Sequence, residues 1–336
     1  MPPALLAERP TSLVLDPIED TTRRRFITGA GAAALAAAFL AACGSEDDDP
    51  DAVEVRVLDD VLGSVELPTT FDRVVAADEI TFGNMLALGV QPLGGAWYSA
   101  ELAEHLRARV QEEPVNLVAS GDFDIEQALA LRPDLIVTAG ASWVEDFCRQ
   151  LKEGAPTYCY PYGYVTKDEI FGNLRGTAIA LGLEAEAEAL IVQYDERIAE
   201  LRQKVVETGW DTRPVSIVEA NSPESWYLLV NGVAPFVLSD LGIPRRAGEE
   251  FTANDVELSP ERIGDLDSAY AIIAHTSPSR PEARDALEGN PLWPRLTPVQ
   301  EWRVLWTNGP AWAGYDMLAL FAVLDDIENK LLPLAG

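Results

Sequence analysis

The sequence predicts an α/β protein made of two lobes joined by a single long α-helix. Three observations carry that expectation. From Val53 onward short apolar strands alternate with amphipathic helices, the pattern of an α/β fold. In the segment Glu184 to Val206, apolar residues fall at Ala187, Leu190, Ile191, Tyr194, Ile198, Leu201 and Val205. Spacings of three and four place them on one stripe of a helix roughly 35 Å long, enough to cross a whole lobe. Finally, Glu126 and Glu261 each sit in the first turn of a short helix that runs directly into an apolar strand. Leu131 then corresponds to Leu266, Leu135 to Tyr270 and Val137 to Ile272, so the two halves read as a weak internal repeat.

The elements follow in order. Val53 to Val57 and Val61 to Leu67 alternate like a hairpin turning at Asp59-Asp60, and Arg73 to Ala77 is a buried strand. Phe82 to Leu88 is a helix stopped by Gly89. Asp124 caps a helix with Gln127 at the capping-box position; Arg132-Pro133-Asp134 ends it before the strand Leu135 to Thr138. A helix from Trp143 to Leu151 precedes the strand Tyr158 to Tyr160. Gly182 stops the helix before the long one, and Gly209 with Pro214 marks its far boundary. Beyond it lie the strand Val215 to Glu219, the helix Val233 to Leu241 ended by Gly242, and a helix start capped at Ser259. The strand Tyr270 to Ala274 and a last helix from Pro310 to Leu331 complete the chain.

The N-terminus reads as an address. Arg23-Arg24-Arg25-Phe26 precedes an apolar stretch from Gly29 to Ala42, shorter than the ~20 residues a membrane span needs and suited to a signal sequence. The paired arginines resemble a twin-arginine export signal, and Leu40-Ala41-Ala42-Cys43 resembles a bacterial lipobox whose Cys43 takes the lipid. The expected division is an export signal over 1–42, an acidic tether over 43–52, an N-terminal lobe over 53–183, a linking helix over 184–208 and a C-terminal lobe over 209–336. The product would be anchored to the outer face of the cytoplasmic membrane. Export places Cys148 and Cys159 in an oxidising compartment, where geometry decides between a disulfide and two buried free thiols.

The net charge of −30 and pI near 4.3 oppose binding to nucleic acid or adhesion to anionic lipid. The chain has 2 histidines, His105 and His275, too few for a protein-held zinc or manganese site. His105 falls in a charged helix, Glu101 to Val110, and is expected to be solvated.

Several stretches together resemble the helix-linked, class III periplasmic binding proteins that serve ferric siderophore, heme and corrinoid importers. They are Val74 to Gly95, Asp124 to Val137 (with its ALRPDLIV run), the long helix, Leu258 to Ile273 and Ala311 to Ile327. The resemblance implies two Rossmann-like lobes facing across a ligand cleft, an ABC permease as partner, and a monomer. It also implies that Glu126 and Glu261 dock to that permease.

Ligands of open α/β sheets bind beyond the carboxyl ends of the strands. The residues there become the binding candidates: Trp97, Tyr98, Trp143, Tyr162, Trp226, Tyr227, His275, Arg280, Trp312 and Tyr315, with Ser142 and Tyr160 beside them. For any one aromatic, core packing is the alternative. Trp and Tyr suit a bulky amphipathic chelate, since each joins apolar area to a polar handle. Strand exits hold few cations, Arg280 the clearest. That disfavours an anionic catecholate complex and favours a ferric hydroxamate siderophore, with the iron held by the chelate and no resident cofactor. A corrinoid or heme is the runner-up, with His275 or a tyrosine as the axial ligand of heme. An exported hydrolase is the rival class, but the chain has no G-x-S-x-G elbow, P-loop or dinucleotide fingerprint, and only His275 with Ser277 suggests a triad.

Overall fold

A computed structural model describes residues 54–335 apart from 99–100, 141–143, 165, 250–254 and 277–279. The export signal, the acidic tether, Cys43, Ser142, Trp143 and Ser277 lie outside the described residues.

Each lobe is built on a five-stranded sheet. In the N-terminal lobe the order across the sheet is Val115–Asn116, Gly94–Gly95, Val74–Ala76, Leu135–Gly140 and Thr157–Pro161. All neighbours there run parallel. In the C-terminal lobe the order is Val256–Glu257, Ser225–Leu228, Val215–Ser222, Ala271–Thr276 and Val304–Asn308. Its last three strands are parallel and its first two are added antiparallel. Parallel strands buried on both faces read as continuous apolar runs, which is why Leu135-Ile136-Val137 and Ala271-Ile272-Ile273 were legible.

The linking helix spans Glu184–Thr208 and ends at Gly209, whose φ of 74° supplies the left-handed cap. Ala187, Ile191, Tyr194, Ile198, Leu201 and Val205 are its buried residues, the stripe the spacing predicted. They belong to one core that also takes Ala76 and Val137 from the first sheet and Val215, Ile217 and Ile273 from the second. The opposite face of each sheet has a core of its own, around Val75, Leu117 and Ile136 in the first and around Val218, Trp226 and Ile272 in the second. Side chains alternate across a strand, so each sheet feeds one shared core and one private core. Two further contacts tie the lobes. Tyr194 sets its ring edge-on against Phe171, with centroids 5.6 Å apart, and its hydroxyl donates to Asp240 Oδ2 at 2.9 Å. Lys167 Nζ reaches the same carboxylate oxygen at 2.9 Å.

Four local expectations are corrected. The N-terminal hairpin pairs Val55–Asp60 with Gly63–Pro68 and turns at Val61-Leu62, not at Asp59-Asp60. Gly63 takes the left-handed φ of 115° there, and Asp60 turns its carboxylate inward to accept Leu62 N and to meet Lys152 at 2.6 Å. The segment after Ser259 is a 3-10 helix, Pro260–Ser268, and the Ser259 side chain makes no capping bond. The last helix is interrupted: Gly309–Trp312 forms one turn, and Met317–Asp326 starts afresh because Asp316 Oδ1 accepts from Leu318 N and Ala319 N. His105 sits in a single turn, Glu104–Arg107. Its side chain is 8% exposed and faces Asp316 with Nε2 3.7 Å from Oδ2, so it is not solvated.

Cys148, on the helix Glu145–Gly154, is disulfide-bonded to Cys159 on the strand Thr157–Pro161, with Cα atoms 6.4 Å apart.

Candidate functional site

The strand exits of the two lobes hold two clusters that meet through tyrosines. In the N-terminal lobe, Asp78 follows the strand Val74–Ala76 and caps the helix Glu79–Ala87. Its Oδ1 accepts Thr81 N at 2.8 Å, and its Oδ2 accepts Ala139 N at 2.7 Å and Thr138 Oγ1 at 3.0 Å. Thr81 Oγ1 lies 2.8 Å from the Tyr160 hydroxyl, which is wholly buried. The carboxylate thus binds the exits of two adjacent strands together at a helix N-terminus. Glu79, next in the chain, is pushed up to about 7, chiefly by burial and then by the Asp316 charge, while His105 acts the other way.

After the strand Thr157–Pro161, the sequence Tyr162-Gly163-Tyr164 turns back on itself. Asn173 holds the turn, accepting Gly163 N at 3.1 Å and donating to Gly163 O at 2.7 Å. The Tyr162 and Tyr164 rings stack with centroids 5.3 Å apart and planes at 22°. Tyr164 then meets Tyr315 of the other lobe edge to face, at 5.9 Å and 82°. Tyr315 donates its hydroxyl to Asn231 Oδ1 at 2.8 Å. Asn231 Nδ2 donates to Asp255 Oδ1 at 3.2 Å, and Val230 N to the same atom at 2.9 Å. A Cβ on Gly232, whose φ is 85°, would stand 3.2 Å from the Tyr315 ring, so only glycine lets that ring lie close over this backbone.

The electrostatics are one-sided. Burial first and neighbouring negative groups second raise the phenol of Tyr162 to about 12, with Tyr164 and Asp78 nearby. Tyr315 is raised by burial and then by Asp255, Tyr162 and Glu219; Tyr98 by burial and then by Asp78 and Glu79. Glu219 and Asp255 are both raised by burial. The phenols are therefore neutral hydroxyls at physiological pH, and the titratable groups around them are acidic.

Of the ten residues expected in the site, five reach the surface at least in part. Tyr162 and Tyr315 are half-buried, Tyr227 is half-buried inside the strand Ser225–Leu228, and Tyr98 is 64% exposed. Arg280 is exposed and donates Nη1 to Asn221 O at 3.1 Å. Trp143 lies outside the described residues. The remaining four are core residues, and their assignment to a ligand surface is corrected. Trp97 packs on Phe82 with centroids 5.6 Å apart. Trp226 sits opposite Ala220 on the face of the second sheet turned to its private core, so its neighbour Tyr227 points to the other face. Trp312 is fully buried and donates its indole N–H to Asp326 Oδ2 at 2.9 Å. His275 is fully buried in its strand, and desolvation lowers it to about 4. Sequence reading missed Tyr164, Asp78, Glu79, Glu219 and Asp255. Asp78 was findable, since a helix-capping carboxylate directly after a strand sits at a strand exit.

Two lobes, one on a parallel and one on a mixed sheet, joined by one linking helix with an aromatic junction between them, have the architecture of a solute-binding protein. The family model described as "Periplasmic binding protein" matches residues 74–309, and this chain belongs to that family. A curated relative, the iron-uptake system-binding protein of Bacillus subtilis, is 23% identical over 303 residues, covering 83% of this chain and 92% of the relative. A periplasmic solute-binding protein of Mycobacterium smegmatis superposes with a TM-score of 0.71 at 21% identity, over 84% of this chain and 99% of that one. The siderophore-binding protein FhuD of Vibrio cholerae, solved with Fe3+-Desferal bound, gives 0.67 at 21% identity, over 79% and 99%.

Proposed function

We propose that this chain is the extracytoplasmic, lipid-anchored solute-binding protein of an ABC importer, and that it takes up a ferric siderophore of hydroxamate type. It is a carrier with no catalytic role. The observation that carries the reading is the tyrosine group Tyr162–Tyr164–Tyr315, which spans both lobes at their strand exits. Such a wall offers apolar faces to an organic chelate and hydroxyls to its oxygen-rich rim. The iron-uptake role of the Bacillus relative favours a ferric chelate, and the Fe3+-Desferal in the Vibrio structure favours the hydroxamate type. Heme fits less well. His275 is buried, and the carboxylates Asp78, Glu219 and Asp255 oppose both a tyrosinate ligand and the heme propionates.

Cys43 would carry the lipid. Glu126, in the first turn of the helix Ile125–Ala130, and Glu261, in the 3-10 helix Pro260–Ser268, are both exposed and would meet the permease. The test is titration of the soluble domain, lacking the export signal and Cys43, with ferric Desferal while its tryptophan fluorescence is followed. Saturable quenching at submicromolar concentration supports the reading. Quenching by cobalamin with none by ferric chelates would transfer the assignment to a corrinoid.

A further inference from the structure

If the site takes a ferric chelate, the charge of that chelate is legible in the groups around the tyrosines. Asp78 is joined through Thr81 to Tyr160, two residues before Tyr162; Asp255 is joined through Asn231 to Tyr315; and Glu219 stands opposite Tyr227 in the second sheet. Among the described residues, no Lys or Arg forms an ion pair with Asp78, Glu79, Glu219 or Asp255. The cation nearest Asp255 in effect, Arg245, is already held by Glu249 Oε2 at 2.9 Å and by Leu229 O. Arg280 is turned to Asn221 O. The segments 99–100, 141–143, 165, 250–254 and 277–279 contain no Lys or Arg, so none of them supplies a countercharge. The tyrosines are an independent observation pointing the same way. The stacked pair with a third ring edge-on presents π-faces that attract a cation within about 6 Å.

We infer that the Tyr162–Tyr164–Tyr315 site, flanked by Asp78, Glu219 and Asp255, selects ferric chelates that carry a free ammonium group over neutral and anionic ones. The inference rests on the proposed function but is separable from it. An ammonium arm would supply the countercharge that the neutral donors around Asp78 and Asp255 do not. An anionic chelate would add charge of the same sign.

Ferric Desferal carries one ammonium on a neutral tris-hydroxamate core, and acetylating that amine removes the charge while leaving the iron centre intact. The experiment titrates the soluble domain with both complexes and with a ferric tris-catecholate. Ferric Desferal should bind at least about tenfold more tightly than its acetylated form. The gap should narrow as salt rises from about 0.05 to 0.5 M, and the catecholate should not compete. The Glu219→Gln, Asp255→Asn double variant should bring the two hydroxamate affinities to within about threefold, chiefly by weakening the charged complex. Equal binding of both hydroxamates by the unaltered protein, or tight binding of the catecholate, overturns the charge preference and leaves the siderophore reading standing. Absence of binding by all three overturns both.

Discussion

Tyr194 and Tyr315 both link the lobes, and they do so in opposite surroundings. Tyr194 is fully buried on the linking helix, against Phe171 of one lobe and Asp240 of the other, within the shared apolar core. Tyr315 is half-buried at the strand exits, with Tyr164 across from it and Asn231, Asp255 and Glu219 around it. On the linking-helix side, sheet faces and helices interdigitate into a continuous core that resists relative motion. Where Tyr164 meets Tyr315 the contact is ring against ring, worth about 0.5–1.5 kcal/mol. The same residue type is a structural tie in one place and, in the proposed reading, a ligand surface in the other, and burial among apolar neighbours is what separates the two settings.

The comparison can be broken at either end. Tyr194→Ala should cost roughly 3–5 kcal/mol in denaturant unfolding, because it removes a buried ring and leaves Asp240 short of a donor. Ligand affinity of the folded fraction should stay within about twofold; a large loss of affinity with little loss of stability would reverse the assignment.

Glu79 gives a pH handle between the two regions. Its folded value of about 7 lies above its ordinary 4.5, so its contribution to stability is complete below 4.5 and is lost as pH rises through 7. His275 works in the opposite sense. Lowered from 6.5 to about 4, it contributes stability above 6.5 that disappears as pH falls through 4. Between about pH 6.5 and 8 the Glu79 effect stands alone. Compared with the unaltered protein, which shares the His275 effect, Glu79→Gln should remove a fall in stability of roughly 3 kcal/mol that builds between about pH 4.5 and 7, with under about 1 kcal/mol of it left above pH 6.5. An unaltered slope would mean that Glu79 is ionised throughout.

Tyr164→Ala should weaken chelate binding about tenfold, the value of a lost aromatic contact, with little change in Tm. Unchanged affinity would move the ligand away from the tyrosine wall. Asp240→Asn should have the smallest effect, about 0.5–1 kcal/mol, since the pair with Lys167 is partly solvated and the amide oxygen still accepts from Tyr194.

Much of the fold was readable from local pattern. The helix Val233–Leu241 has the predicted bounds, and the stripe from Ala187 to Val205 is the buried face of the linking helix. The site was less readable. Trp226 and Tyr227 are adjacent, and nothing local says which faces the private core; pairing of Trp226 with Ala220 decided that. His105 lies in a charged segment, and only the arrival of Asp316 from the far end of the chain buries it.

By itself the sequence determined the order of elements, the linking helix and the aromatic richness of the strand exits, because these depend on periodicity and on neighbours a few residues away. Tertiary structure alone decided which aromatics are core and which meet across the lobes. It also decided that carboxylates from Asp78 to Asp255 surround the same tyrosines. Those outcomes depend on strand register and on which chain segments pack together, and residues more than a hundred positions apart leave no local mark of their meeting.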